Sequence, residues 1–208
     1  IVPGPNTNHY LVRAYFDDSN RPLALFTARK IRQYPTDFGN VTLLESVRAP
    51  DAAELGATLL ERLHYRGIAS IEFKRDARTG ELVLIELNPR LGQNNILGTR
   101  CGVNFPFIAY LDLTGKKPAP MTHYRAGLRY LVLGKDFRAF RDYYRRGELG
   151  PLEWARSVLT ARVFPYFSWR DPLPFVMATG SNLWRRLLHG PQEAWRAVRR
   201  RAPRARVP

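Results

Sequence analysis

The sequence predicts an α/β (α+β) chain: an antiparallel sheet with flanking helices, followed by a mainly helical, basic extension. Three observations carry this expectation. Two pairs of apolar–polar alternating runs are each joined by a short turn-rich segment, the pattern of antiparallel hairpins. A leucine stripe at helical spacing lies between the pairs. After the stretch Lys116-Lys117-Pro118-Ala119-Pro120, helical patterning dominates and the charge rises steeply.

The elements follow in order. Residues 9–17 alternate and read as a strand, Asp18-Ser19-Asn20 as a turn, and residues 23–33 as the returning strand. Residues 40–47 form a third strand. Pro50-Asp51 opens a helix, with Asp51 as N-cap and Glu54 completing a capping box. Leu55, Leu59, Leu60 and Leu63 form its apolar stripe, and Gly67 ends it. Residues 68–75 and 81–88 are strands joined through Asp76–Gly80. Short helices cover 96–101 and the segment from Asn104 or Phe105 to Gly115. These elements place an antiparallel sheet with helices on one side in residues 1–118. In residues 119–208 the pattern predicts a strand at 128–133 and helices at 136–146, 151–160, 172–189 and 191–201. Residues 202–208 fray.

Composition narrows the function. Of the 208 residues, 45% are hydrophobic and 12% aromatic, enough for a packed core, which excludes a wholly disordered chain. Cys101 is the single cysteine, so an intramolecular disulfide framework and a multi-cysteine metal site are excluded. That usage fits a reducing compartment and a cytoplasmic location. No apolar run approaches the roughly 20 residues of a membrane span. The chain begins at Ile1 with no signal-peptide pattern, and a piece of a longer protein is expected. The net charge of +15 is uneven: residues 1–120 carry 15 basic and 12 acidic side chains, residues 121–208 carry 18 and 6.

The sharpest chemical feature is IEFKRDARTGELVLIELNPR, residues 71–90. Strand alternation puts Ser70, Glu72 and Lys74 on one face of the first strand, and Leu84, Glu86 and Asn88 on one face of the second. With Arg78-Thr79-Gly80 as a three-residue loop and Gly80 in the left-handed position, Phe73 pairs with Ile85 and Glu72 with Glu86. Two carboxylates directly opposite each other repel, and a hard divalent cation with oxygen ligands is the natural compensation, with Asn88 as a further oxygen donor. The plain alternative is an exposed hairpin edge whose acids point to water. A longer loop would shift the register and part them.

Glu72 followed by Glu86-Leu87-Asn88-Pro89-Arg90 resembles the C-terminal part of the ATP-grasp fold, in which a Glu on one strand and a Glu-x-Asn on the next ligate nucleotide-bound magnesium. The surrounding phrase, GIASIEFKRD…GELVLIELNPRLGQNN, is most similar to the carboxylate–amine ligase branch, which includes D-aspartate ligase-like enzymes. The resemblance covers residues 1–118, and Gly4-Pro5 with the first hairpin is similar to the segment after the family's nucleotide hinge. It implies the C-terminal lobe of an ATP-grasp domain, with ATP and Mg2+ (or Mn2+) as cofactors and small-molecule carboxylate and amine substrates joined through an acyl phosphate. Glu72, Glu86 and Asn88 are the implied metal ligands, Glu86 and Asn88 also serving the nucleotide. Arg90 is the implied clamp on phosphoryl group or carboxylate; its plain alternative is a surface arginine. Lys30, with Arg32 as its same-face partner, is the implied contact to the γ-phosphate or acid substrate; a solvated strand face is the alternative. Asn94 stands where biotin carboxylase-like members carry an acidic base, which argues against bicarbonate chemistry of that type. The nucleotide-covering loop and hinge of the family lie upstream, so residues 1–208 alone are expected to be inactive and to need the N-terminal part of the same protein.

A rival reading is a basic binding module in 119–208. The charge there, interleaved with Tyr143, Tyr144, Trp154, Trp184 and Trp195, suits nucleic acid, but no recognition motif is present. Phe164, Tyr166, Phe167 and Trp169, mixed with arginines, suit a peripheral contact with an anionic membrane surface. The alternative is that these aromatics pack the extension on the core.

Overall fold

The computed structural model describes residues Val2–Met177. Six strands form an antiparallel sheet in the order β5-β4-β1-β2-β3-β6. They are β1 (His9–Phe16), β2 (Pro22–Tyr34), β3 (Asn40–Ser46), β4 (Gly67–Arg75), β5 (Leu82–Asn88) and β6 (Arg129–Leu131). The helices are α1 (Pro50–Arg62), α2 (Ile96–Arg100), α3 (Phe105–Leu113), α4 (Leu133–Arg145) and α5 (Pro151–Leu159).

β1 lies inside the sheet, and its alternation sorts the core into two layers. Leu11 and Tyr15 pack with Leu97, Phe105 and Ile108 of α2 and α3. Val12, Ala14 and Phe16 pack with Ala69, Ile71 and Phe73 of β4 and with Ala52 and Leu60 of α1. Helices therefore cover both faces, not one. A sheet with apolar side chains on both sides of its inner strands needs cover on both.

α1 departs from the expectation in detail. Its N-cap is Ala49, Pro50 takes the first helical position, and Asp51 sits in the first turn. The Asp51 carboxylate is paired with Arg75. Two small residues, Ala52 and Gly56, make the buried face together with Leu60, whereas Leu55 and Leu63 are exposed. The helix ends at Arg62; His64 takes the left-handed conformation, and Gly67 begins β4.

Residues Ile1–Pro165 form one compact unit. Within it, residues 119–165 contribute β6, which pairs with β3, and the helices α4 and α5. Met121 exchanges backbone hydrogen bonds with Leu23 and Leu25 of β2. Asp136, in the first turn of α4, is fully buried. It accepts from Arg32 Nε at 2.9 Å and Nη2 at 2.8 Å, from Thr42 Oγ1 at 2.8 Å and from Trp154 Nε1 at 2.9 Å. One carboxylate thus joins β2, β3, α4 and α5.

Tyr166–Pro208 form the second unit. In its described part, residues 173–177 are helical, and the Phe167 ring lies 4.9 Å from Trp169 and 5.3 Å from Phe175. The rest of the expected helices at 172–189 and 191–201, with Trp184, Trp195 and the arginine-rich tail, lies outside the described residues. Among the described residues no helix is long and apolar enough to cross a membrane.

Candidate active site

The hairpin β4–β5 brings Glu72 and Glu86 into direct cross-strand register, with Ser70 opposite Asn88. The route differs from the sequence expectation. Asp76 and Glu81 close the turn, so the loop is Ala77–Gly80, one residue longer than expected. Phe73 consequently pairs with Leu84, not Ile85, which puts Leu84 on the face opposite Glu86. A bulge between Glu72 and Phe73 takes up Ile85 as the extra residue and restores the Glu72–Glu86 pairing. Gly80 has φ +77°, the left-handed conformation that the turn requires.

β1 and β2 complete the site. β1 pairs with β4, setting Leu11 opposite Glu72 and His9 opposite Lys74. His9 Nδ1 lies 2.6 Å from Glu72 Oε1. Lys30 Nζ donates to the same oxygen at 2.5 Å and to Gln33 Oε1 at 3.2 Å. Lys30 is 5% exposed, so its charge is neutralised mainly by Glu72. Glu86 is exposed, and no ion pair among the described residues engages it.

Burial alone raises the Glu72 carboxyl, but the His9 hydrogen bond and the Lys30 charge outweigh it and hold Glu72 below the usual carboxylate range. Stability from a depressed folded value is present above the unfolded value of about 4.3 and is lost as pH falls through the lower folded value. The melting temperatures of the wild type and Glu72→Gln should therefore differ most at neutral pH and converge below about pH 4.

Three cavities adjoin along this face. One of about 350 Å3 is lined by His9, Lys30, Glu72, Ile85, Glu86 and the loop bearing Asp37 and Phe38. A second, of about 310 Å3, shares Lys30, Glu72 and Glu86 and continues to Asn88, Arg90 and Asn94. The largest, about 990 Å3, meets the first at His9, Asp37, Phe38 and Ile85 and extends past Asn6 and Tyr143. The acid pair and Lys30 thus stand on the wall common to the two smaller cavities, with the roomiest space on one side.

Gly39 lines both smaller cavities. A Cβ there would overlap the Pro35 carbonyl and the Tyr34 backbone. Gly39→Ala is expected to displace the 35–40 loop, raising its amide exchange by at least about tenfold while β1 stays protected. Hydrogen-exchange mass spectrometry reads both.

Arg32 is not the same-face partner of Lys30. The register slips at Ile31 and again at Thr42: Lys30 pairs with Leu44, Arg32 with Leu43 and Gln33 with Val41. Two bulges turn Arg32 and Thr42 to the opposite face, where Asp136 holds them, and return Gln33 to Lys30. Cys101 is buried in the core, and burial pushes its thiol up.

Sequence reasoning missed His9, which joins through the pairing of β1 with β4, Gln33, which the bulges return to Lys30, and Arg13, which donates to Asn94. The available signal was period-two alternation: His9, Leu11 and Arg13 share one face of β1.

Among the described residues, no group of three or more His, Cys, Asp or Glu side chains is placed to cage a metal ion. Two facing carboxylates and an amide oxygen instead suit Mg2+ carried on a nucleotide, since this ion keeps waters and takes one or two carboxylates plus phosphate oxygens.

No protein-family model matches the chain. Over 153 residues it is 26% identical to the D-aspartate ligase of Enterococcus faecium (strain Aus0004), a match that covers 71% of this chain and 36% of that one. The chain therefore spans about a third of that relative's length. Among solved structures, the pyruvate carboxylase of Rhizobium etli is 17% identical with a TM-score of 0.47, over 58% of this chain and 13% of its own. The phosphoribosylaminoimidazole carboxylase ATPase subunit of Aquifex aeolicus is 13% identical with a TM-score of 0.46, over 59% and 38%. The sequence match and the carboxylate hairpin agree in relating this chain to the D-aspartate ligase-like branch of the ATP-grasp superfamily.

Proposed function

We propose that this chain carries the metal- and phosphate-binding part of an ATP-dependent carboxylate–amine ligase. The observation that carries the reading is the Glu72–Glu86 pair, in register on a cavity wall with Lys30 against it and Asn88 and Arg90 beside it. In this reading residues 1–118 are the C-terminal lobe of an ATP-grasp domain and residues 119–208 an extension.

Glu72, Glu86 and Asn88 would hold Mg2+, which supplies charge neutralisation on the phosphate oxygens. Lys30 is the residue that contacts the transferring phosphoryl group, leaving Glu72 free for the ion. Arg90, with its planar fork of donors, orients the acid or the phosphoryl group. The γ-phosphoryl passes from ATP to a carboxylate oxygen, releasing ADP. The amine then attacks the acyl carbon, phosphate leaves as the C–N bond forms, and the proton shed by the nitrogen passes to the released phosphate. The D-aspartate ligase match supports an amino-acid carboxylate as the acid.

The test is trapping of the acyl phosphate. The full-length protein, given ATP, Mg2+ and D-aspartate, should release ADP and form an acyl hydroxamate when hydroxylamine replaces the amine. ADP release without any hydroxamate, or no ATP binding at all, overturns the reading.

A further inference from the structure

Arg13 occupies the middle of β1, between Phe26 of β2 and Ser70 of β4. It is 1% exposed and is among the largest fully buried side chains. Among the described residues no carboxylate pairs with it, and its Nε has no partner. Burial lowers its guanidinium to about 10, so the group is charged at neutral pH. A buried cation without an anion is costly to keep, and among the described residues no carboxylate supplies one, Tyr130 being the neighbour that offsets part of the cost of burial.

Both Arg13 terminal nitrogens go to one residue. Nη1 donates to the Asn94 carbonyl at 3.2 Å, and Nη2 donates to Asn94 Oδ1. Asn94 is itself buried and lines the 310 Å3 cavity with Asn88, Arg90 and Lys30. The second bond has a chemical consequence. With Oδ1 engaged by an obligate donor, the amide offers its Nδ2 hydrogens, so Asn94 presents donors rather than an acceptor. An asparagine also cannot take up a proton as a base.

We propose that Asn94, oriented by Arg13, is a specificity-determining contact for the acid substrate: its Nδ2 donates to a carboxylate oxygen in the cavity beside Asn88 and Arg90. The ligand class is a small carboxylate anion. Arg13 is a positioning residue, and its buried charge biases the cavity toward anions. The inference deepens the ligase reading and rests on it.

The experiment is titration calorimetry on the full-length protein with Mg2+, using a nonhydrolysable ATP analogue and then D-aspartate as probes. Asn94→Asp places a carboxylate on Arg13, which keeps the fold by pairing the buried charge, and repels the acid. The expected result is weakening of D-aspartate binding by about tenfold or more, ATP-analogue affinity within about twofold of wild type, and a melting temperature that does not fall. Arg13→Lys keeps the charge but cannot hold both Asn94 oxygens, and should weaken D-aspartate binding without changing analogue binding. Equal D-aspartate affinity in wild type and Asn94→Asp overturns the inference. So does wild type that binds the analogue but not D-aspartate, or equal weakening of both ligands. Wild type that fails to bind the analogue removes the ligase reading itself, and this inference with it.

Discussion

Asp136→Ala is expected to cost the chain about 3–5 kcal/mol of stability. The Asp136 carboxylate is fully buried and the Arg32 side chain is 5% exposed. Removing the acid leaves a guanidinium in the interior with only the Ser157 hydroxyl, 2.8 Å away, as an acceptor for its Nη2. It also strands the Thr42 hydroxyl and the Trp154 indole N–H, each of which loses its bond to the acid. Urea unfolding measures the loss. The double change Arg32→Met with Asp136→Leu removes both charges at similar volume and is expected to recover most of it, because desolvating an ion pair offsets much of its attraction. A double variant as unstable as the single one would show that packing, not the unpaired charge, sets the cost.

Glu86→Gln is expected to lower ligase turnover of the full-length protein by about 100-fold or more while leaving its melting temperature within a few degrees. The side chain is exposed and, among the described residues, no ion pair engages it, so the fold loses little. A neutral amide in its place cannot balance a divalent cation. Raising Mg2+ should therefore recover part of the rate, which separates lost metal affinity from lost chemistry. Glu72→Gln is expected to be equally inactive but less stable, since Lys30 loses its 2.5 Å anionic partner. Steady-state kinetics against Mg2+ together with melting curves check both. Full activity of Glu86→Gln at low Mg2+ would remove this carboxylate from the site.

The carboxylate hairpin was legible because its information is local. Alternation in 68–75 and 82–88, with a glycine able to take positive φ at position 80, brings the acids together. What escaped was irregular or distant. Nothing in ARKIRQY marks Ile31 as a bulge, yet that bulge decides that Lys30 meets Glu72 while Arg32 meets Asp136. The pairing of β1 with β4 closes across more than fifty residues, so His9 as a partner of Glu72 could not be read from spacing. In α1, volume overrode hydropathy: Gly56 sits where a Cβ would press on Val12 Cγ1 at 2.9 Å, so the helix approaches the sheet on its small residues and leaves two leucines outside.

The extra residue at Ile85 behaves like a dislocation in a lattice. Rows of paired residues are offset by one on the turn side of it and in step on the other, where Glu72 meets Glu86. The same strands could close with the tighter three-residue loop and no bulge, and Glu72 would still meet Glu86. The defect can therefore glide between Ile85 and the hairpin tip without moving either acid. A one-residue difference in tip length is thus matched by the presence or absence of the bulge, with the register of the acid pair kept.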